Sequence, residues 1–206
     1  MTSTTRRALL ASGSAASLAA ALPHAARAQV AAADPAQATG FVRSLGERIV
    51  AVVNAPGTEA EKQARIAPVI EQSVDVDGIA RFCLGRFWRA ATPQQQQAYV
   101  QAFHRVMIAT IMGHLGEFQG VGFTMTQTVQ RQGATLVGTR ITRPNQEPAA
   151  VQWVVEEVGG QPRIVDVVAE GTSLRLTQRS DYASYLQQHG GSVDALVAAM
   201  RAQTGS

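Results

Sequence analysis

Cysteine, charge and aromatic rings are all scarce in this chain of 206 residues. A single Cys excludes an internal disulfide framework. Only 16% of the residues are charged and 5% aromatic, yet 46% are hydrophobic, which is too apolar for a disordered chain. No apolar run reaches the roughly 20 residues that a membrane-spanning helix needs. A nucleophile-elbow serine, a phosphate-binding glycine loop and a zinc-ligand motif are also missing. The length fits one compact domain, and no internal repeat or low-complexity linker divides it.

Two stretches without acids place the charge. The formal net charge is +3, which by itself invites a nucleic-acid partner. Residues 1–28 hold Arg6, Arg7 and Arg27 and no acid, so the whole excess lies there and residues 29–206 balance. This segment reads as an export signal: Thr5-Arg6-Arg7, an uncharged run from Ala8 to Leu22, Pro23, then Ala26-Arg27-Ala28 as an A-x-A cleavage site. The paired arginines resemble a twin-arginine signal, and an ordinary secretory signal with two adjacent arginines is the other reading. Either predicts a mature chain starting near Gln29 in the bacterial periplasm, which disfavours nucleic acid. The second acid-free stretch lies between Asp77 and Glu117 and contains Arg81, Arg86, Arg89 and Arg105. Residues 29–77 thus carry −3 and residues 78–117 carry +3. Such a stretch, interleaved with Phe82, Phe87 and Trp88, suits an anionic lipid headgroup or an acidic protein face. Pairing with acids of the first two helices is the alternative.

Periodicity divides the mature chain into a helical half, a strand-rich stretch and a helical tail. Asp34-Pro35 opens a helix with Ala38, Phe41, Leu45, Ile49 and Val52 on one face. Thr58 and Glu61 form a capping box for a second helix, which Pro68 can kink or restart. Asp77 to Leu84 predicts a third, ended by Gly85. Thr92-Pro93-Gln94-Gln95 starts a long helix to about Glu117, apolar on nearly all sides from Met107 to Met112. From Val121 the period becomes two, and turns at Gln132-Gly133, Pro144-Asn145 and Gly159-Gly160 predict a four-stranded antiparallel meander. Two helices, Arg179 to Gln188 and Ser192 to Gln203, close the chain. The predicted class is α+β, with helices packed on one face of the sheet.

Candidates for chemistry are few. His104 and His114 stand about 15 Å apart along one helix and cannot share a metal. No metal site and no catalytic set is predicted. Cys83 reads as a buried thiol without a neighbouring base. Asp166 and Glu170 lie on one strand face but about 13 Å apart. They read as one partner for an arginine and one polar residue at a strand end. The apolar side chains Phe103, Met107 and Ile111 from the long helix, and Phe123 and Trp153 from the sheet, fit either an ordinary core or an incompletely closed cavity.

The stretch Val74-Asp75-Val76-Asp77-Gly78-Ile79-Ala80-Arg81-Phe82-Cys83-Leu84-Gly85-Arg86-Phe87-Trp88-Arg89, followed by Ala91-Thr92-Pro93-Gln94-Gln95, resembles the MlaC family. The resemblance continues at Val165-Asp166-Val167-Val168-Ala169-Glu170-Gly171-Thr172-Ser173-Leu174 and Arg179-Ser180. Cys83 and Phe87 depart from it by standing where other aliphatic or aromatic residues are common. The resemblance covers nearly the whole mature chain and implies a soluble, non-enzymatic carrier of phospholipid through the periplasm. Such a carrier has no cofactor, holds acyl chains in a cavity between helices and sheet, and exchanges lipid with an inner-membrane ABC transporter complex and an outer-membrane lipoprotein. A related group, HpnM, is linked to hopanoids, which makes a hopanoid the alternative cargo. On this reading residues 29–206 form a single lipid-binding domain. Facing then nominates Phe82, Phe103, Met107, Ile111, Phe123, Trp153 and Val167 for the cavity, and Arg81 and Arg86 for the headgroup or a docking surface. An enzyme on the same fold would need a polar group deep in the cavity, and Asp166 is the one suggestion.

Overall fold

A computed structural model describes residues 31–113 and 120–205. The expected signal segment, the 29–206 domain boundary at Gln29, and the end of the long helix near Glu117 lie outside the described residues. A two-residue strand β1 (Ala31–Ala32) precedes the helices α1 (Pro35–Asn54), α2 (Glu59–Ser73), α3 (Val76–Leu84), α4 (Phe87–Ala90) and α5 (Pro93–Gly113). The strands β2 (Gly122–Arg131), β3 (Ala134–Arg143), β4 (Gln146–Val158), β5 (Gln161–Ala169) and β6 (Thr172–Ser173) follow, then α6 (Leu174–Gln188) and α7 (Val193–Gln203).

Helix starts coincide with side chains that satisfy the first free N–H groups. Asp34 accepts from the Gln37 amide at 2.9 Å, and Asp75 from the Gly78 amide at 3.1 Å. Thr58 and Glu61 accept from each other's amides at 3.3 and 2.8 Å, as do Thr92 and Gln95 at 3.2 and 3.0 Å. Gly85 ends α3 at φ 57°, where a side chain would be strained. Pro68 neither ends nor restarts α2, which runs continuously past it.

The four-stranded expectation is corrected to six strands. All neighbours are antiparallel in the order β2-β3-β4-β5-β6, and β1 pairs with β4. The meander itself is present. The two additions are only two residues long, too short for alternation to reveal. β1 pairs Ala31 with Glu157 and Ala32 with Glu156, next to where β3 begins, and Thr135 donates to the Ala33 carbonyl at 2.5 Å. β6 arises because Glu170-Gly171, with φ of 51° and 82°, makes a tight hairpin rather than a loop.

Two helical expectations also change. α4 occupies the link between Gly85 and Thr92. α6 begins at Leu174 rather than Arg179, because Ser173 caps it by accepting from the Leu176 amide at 3.2 Å. Its mixed polar composition hid this start from a periodicity reading.

The apolar core is divided into four clusters. One joins α3, α5, α6 and α7 around Leu84, Tyr99, Leu186 and Val197. A second joins Val53 of α1, Ile66 and Ile70 of α2, and Met112 of α5. The other two seat α1 and α2 on the sheet face that carries Val137, Val155 and Ile164.

Candidate functional site

Between these clusters lies a pocket of about 570 Å³. Its walls come from α1, α2, α3, α5, α6 and β2 to β5, and they are almost wholly apolar. Leu45, Ile66, Met107, Phe123, Ile141 and Trp153 are representative. Of the lining residues, only Thr110 on α5 and Leu174 at the start of α6 are exposed, so the pocket reaches the surface beside them.

On the sheet side the polar atoms of Thr139 and Trp153 are satisfied. The Trp153 indole donates to the Thr139 hydroxyl at 2.9 Å, leaving the ring's apolar surface to the pocket. At the α5–α6 side Phe103 and Tyr182 line the pocket with ring centroids 6.3 Å apart in an edge-on pair. Tyr99 stands behind them and donates to the Ala80 carbonyl at 3.0 Å. Its phenol pKa is pushed far up by burial, so it is a neutral structural donor.

Phe123 is held by a missing side chain. A Cβ on Gly46 of α1 would lie 2.5 Å from the tip of the Phe123 ring. Only glycine allows the ring to lie directly on the helix backbone.

A buried carboxylate sits at the α6 end. Asp166 is 6% exposed. Its carboxylate accepts from the Val167 amide at 2.8 Å, the Ser173 hydroxyl at 2.5 Å and the Arg175 amide at 3.0 Å. The Arg175 guanidinium completes the set at 3.5 Å. Both oxygens are therefore engaged, and the carboxylate is an anchor for α6. Glu170 is exposed in the β5–β6 turn and is no second carboxylate for it. Cys83 donates weakly to the Arg175 carbonyl at 3.6 Å, and burial pushes its thiol up to about 12. Burial also raises the Glu156 carboxyl, against a smaller opposing pull from Arg175. His104 meets Asp77 at 2.7 Å on the surface of α5. Among the described residues no three His, Cys, Asp or Glu side chains gather as a metal site.

Six of the seven nominated cavity residues border this pocket: Phe103, Met107, Ile111, Phe123, Trp153 and Val167. Phe82 does not. It packs on the α3–α5–α6 cluster with the Arg175 and Arg179 guanidinium carbons 4.7 and 4.8 Å from its ring centre. Arg81 and Arg86 also lie off the pocket, against Trp88 and Phe87 at 5.0 and 4.9 Å. Neither has a carboxylate within ion-pair distance among the described residues. The sequence reading missed Leu174, Arg175, Gln178 and Tyr182, all on α6 and all lining the pocket. One signal was available: a lone acid in an apolar strand, Asp166, requires donors, and Arg175 is the first cation after it.

The fold and pocket define a small α+β domain built around a largely apolar pocket. Residues 43–202 match the family described as MlaC protein, most of the chain, and the chain belongs to that family. It is 27% identical over 126 residues to the toluene tolerance protein ttg2D of Pseudomonas putida. That alignment takes in 60% of this chain and 59% of the relative. The fold is similar to that of a phospholipid-binding protein from Ralstonia solanacearum, solved in complex with a phospholipid. The TM-score is 0.72 at 22% identity, over 82% of this chain and 99% of the other.

Proposed function

We propose that this protein is a periplasmic carrier that takes the acyl chains of a phospholipid into the pocket between its helices and sheet. The observation that carries the reading is the pocket itself: about 570 Å³ with apolar walls, opening at Thr110 and Leu174. Unfilled apolar volume costs about 24 cal/mol per Å³ by the measure of core truncations. An apolar ligand relieves that cost, since each methylene taken from water contributes about 0.8 kcal/mol. No reaction is required, which accords with a buried carboxylate whose oxygens are both engaged. Membership in the MlaC family and the phospholipid in the Ralstonia solanacearum relative favour a glycerophospholipid as cargo. Shuttling between an outer-membrane lipoprotein and an inner-membrane ABC transporter complex is the physiological role that fits such a cargo. No helix among the described residues is long and apolar enough to cross a membrane.

Native mass spectrometry of the purified protein tests the reading. A mass increment matching a diacyl phospholipid is expected. Protein that stays bare after exposure to membrane extract would refute it. Met107→Trp, which fills the pocket from α5, should abolish loading while the circular dichroism spectrum is kept. Unchanged loading would place the cargo elsewhere.

A further inference from the structure

The apolar pocket ends in a cluster of charge that its acyl-chain role does not use. Arg175 and Arg179 stand one turn apart on α6, so both guanidinium groups reach the same face. They share the ring of Phe82, at 4.7 and 4.8 Å from its centre, and cation–π contact holds their planes in place. Gly85 leaves room for the second of them: a Cβ there would come within 3.3 Å of the Arg179 guanidinium. Arg175 lines the pocket together with Gln178, beside Leu174, which is 51% exposed.

The charges here do not cancel. Asp166 is the one carboxylate within ion-pair distance of either arginine among the described residues. It is already stabilised by two backbone amides and the Ser173 hydroxyl. Arg175 spends one N–H on the Val165 carbonyl, 3.3 Å away, and turns its Nε edge to Asp166. Arg179 is exposed and has no carboxylate partner among the described residues. Arg175 lines the pocket and also acts on the Glu156 carboxyl from beyond ion-pair distance, while Arg179, off the lining, keeps its charge without an ion-pair partner among the described residues.

We propose that Arg175 and Arg179, with the Gln178 amide, form the seat for the phosphodiester of the cargo lipid. Asp166 is the positioning residue that holds Arg175 at the pocket. This rests on the reading of the pocket as a phospholipid site and adds an orientation to it. The head lies at the start of α6, and the chains run inward toward Met107 and Phe123. It also moves the headgroup from Arg81 and Arg86 to α6. A phosphodiester carries one negative charge and two oxygens that match a guanidinium fork.

The test compares delipidated full-length protein with dioleoyl phosphatidylglycerol and with dioleoylglycerol, which has the same chains and no phosphate. Wild type should prefer the phospholipid by about tenfold or more, the size of one charge-assisted contact. Arg175→Gln and Arg179→Gln should each remove most of that preference while binding of dioleoylglycerol stays within about twofold, as only the head contact is lost. Because Arg175→Gln strips Asp166 of its cation, the double variant Asp166→Asn/Arg175→Gln keeps the site neutral and should behave in the same way. A preference that survives in folded Arg179→Gln and in the double variant would overturn the assignment. Stabilisation by inorganic phosphate alone, at the same concentration, would overturn it in favour of a free-anion site. If wild type binds neither lipid, the carrier reading itself falls and takes this one with it. Equal binding of both lipids by wild type removes the phosphate seat alone.

Discussion

Cys83 shows how burial decides the chemistry of one residue. Exported proteins meet an oxidising environment, where a lone accessible thiol is a liability. Here the side chain is 1% exposed, and loss of hydration raises its pKa to about 12. The nearby Arg175 and Arg179 pull the other way without prevailing. The reactive species is the thiolate, so native protein at pH 8 should react with iodoacetamide at least about a hundredfold more slowly than free cysteine. Urea should restore the ordinary rate. Fast alkylation of folded protein would mean that α6 opens readily from α3. Asp166 makes the related point for a charge: its three hydrogen-bond donors and its ion-pair partner come from β5, β6 and α6, so a single acid ties three elements at the pocket's edge.

Two glycines of α1 separate element propensity from tertiary demand. Glycine weakens a helix interior by about 1 kcal/mol relative to alanine. Gly40 is exposed, and a Cβ there would meet nothing within 4 Å. Gly40→Ala should therefore stabilise the protein by up to about 1 kcal/mol in urea denaturation. Gly46→Ala should do the reverse, because its Cβ would collide with Phe123 and overpacking costs about 1–3 kcal/mol. Combining it with Phe123→Ala should recover most of the loss, giving a coupling of at least about 1 kcal/mol. Additive effects would show that α1 and β2 do not depend on this contact. Helix starts were legible at this scale because Asp34, Thr58 and Thr92 act within three residues of themselves. β6 and the true start of α6 were not, because Ser173 serves both a two-residue strand and a cap.

At the scale of the whole molecule, the four separate core clusters are the cost of having a pocket. A chain with 46% hydrophobic residues could close one continuous core, yet about 570 Å³ is kept between the clusters. Folding and loading are then linked: a ligand that binds only the folded state raises stability by an amount set by its concentration over its Kd. Protein loaded with dioleoyl phosphatidylglycerol should melt at least about 5 °C above delipidated protein, as about 2 kcal/mol of ligand stabilisation shifts a domain of this size by several degrees. An unchanged melting temperature, in a sample that mass spectrometry shows to be loaded, would mean that the lipid lies outside the pocket.

Local patterns in the sequence determined the α+β class, the meander and most helix boundaries, since caps, periods and turns act over a few residues. They also identified the apolar side chains Phe103, Met107, Ile111, Phe123, Trp153 and Val167 as candidates, because facing follows from spacing. Whether those side chains close on each other or stand apart was decided only in three dimensions. A core and a pocket have the same hydrophobic pattern and differ in how far apart the walls are held. The charged end was decided there too. Arg175 lies in polar sequence whose one signal is Asp166 nine residues earlier, and it gains its place from that carboxylate and from Phe82 on another helix.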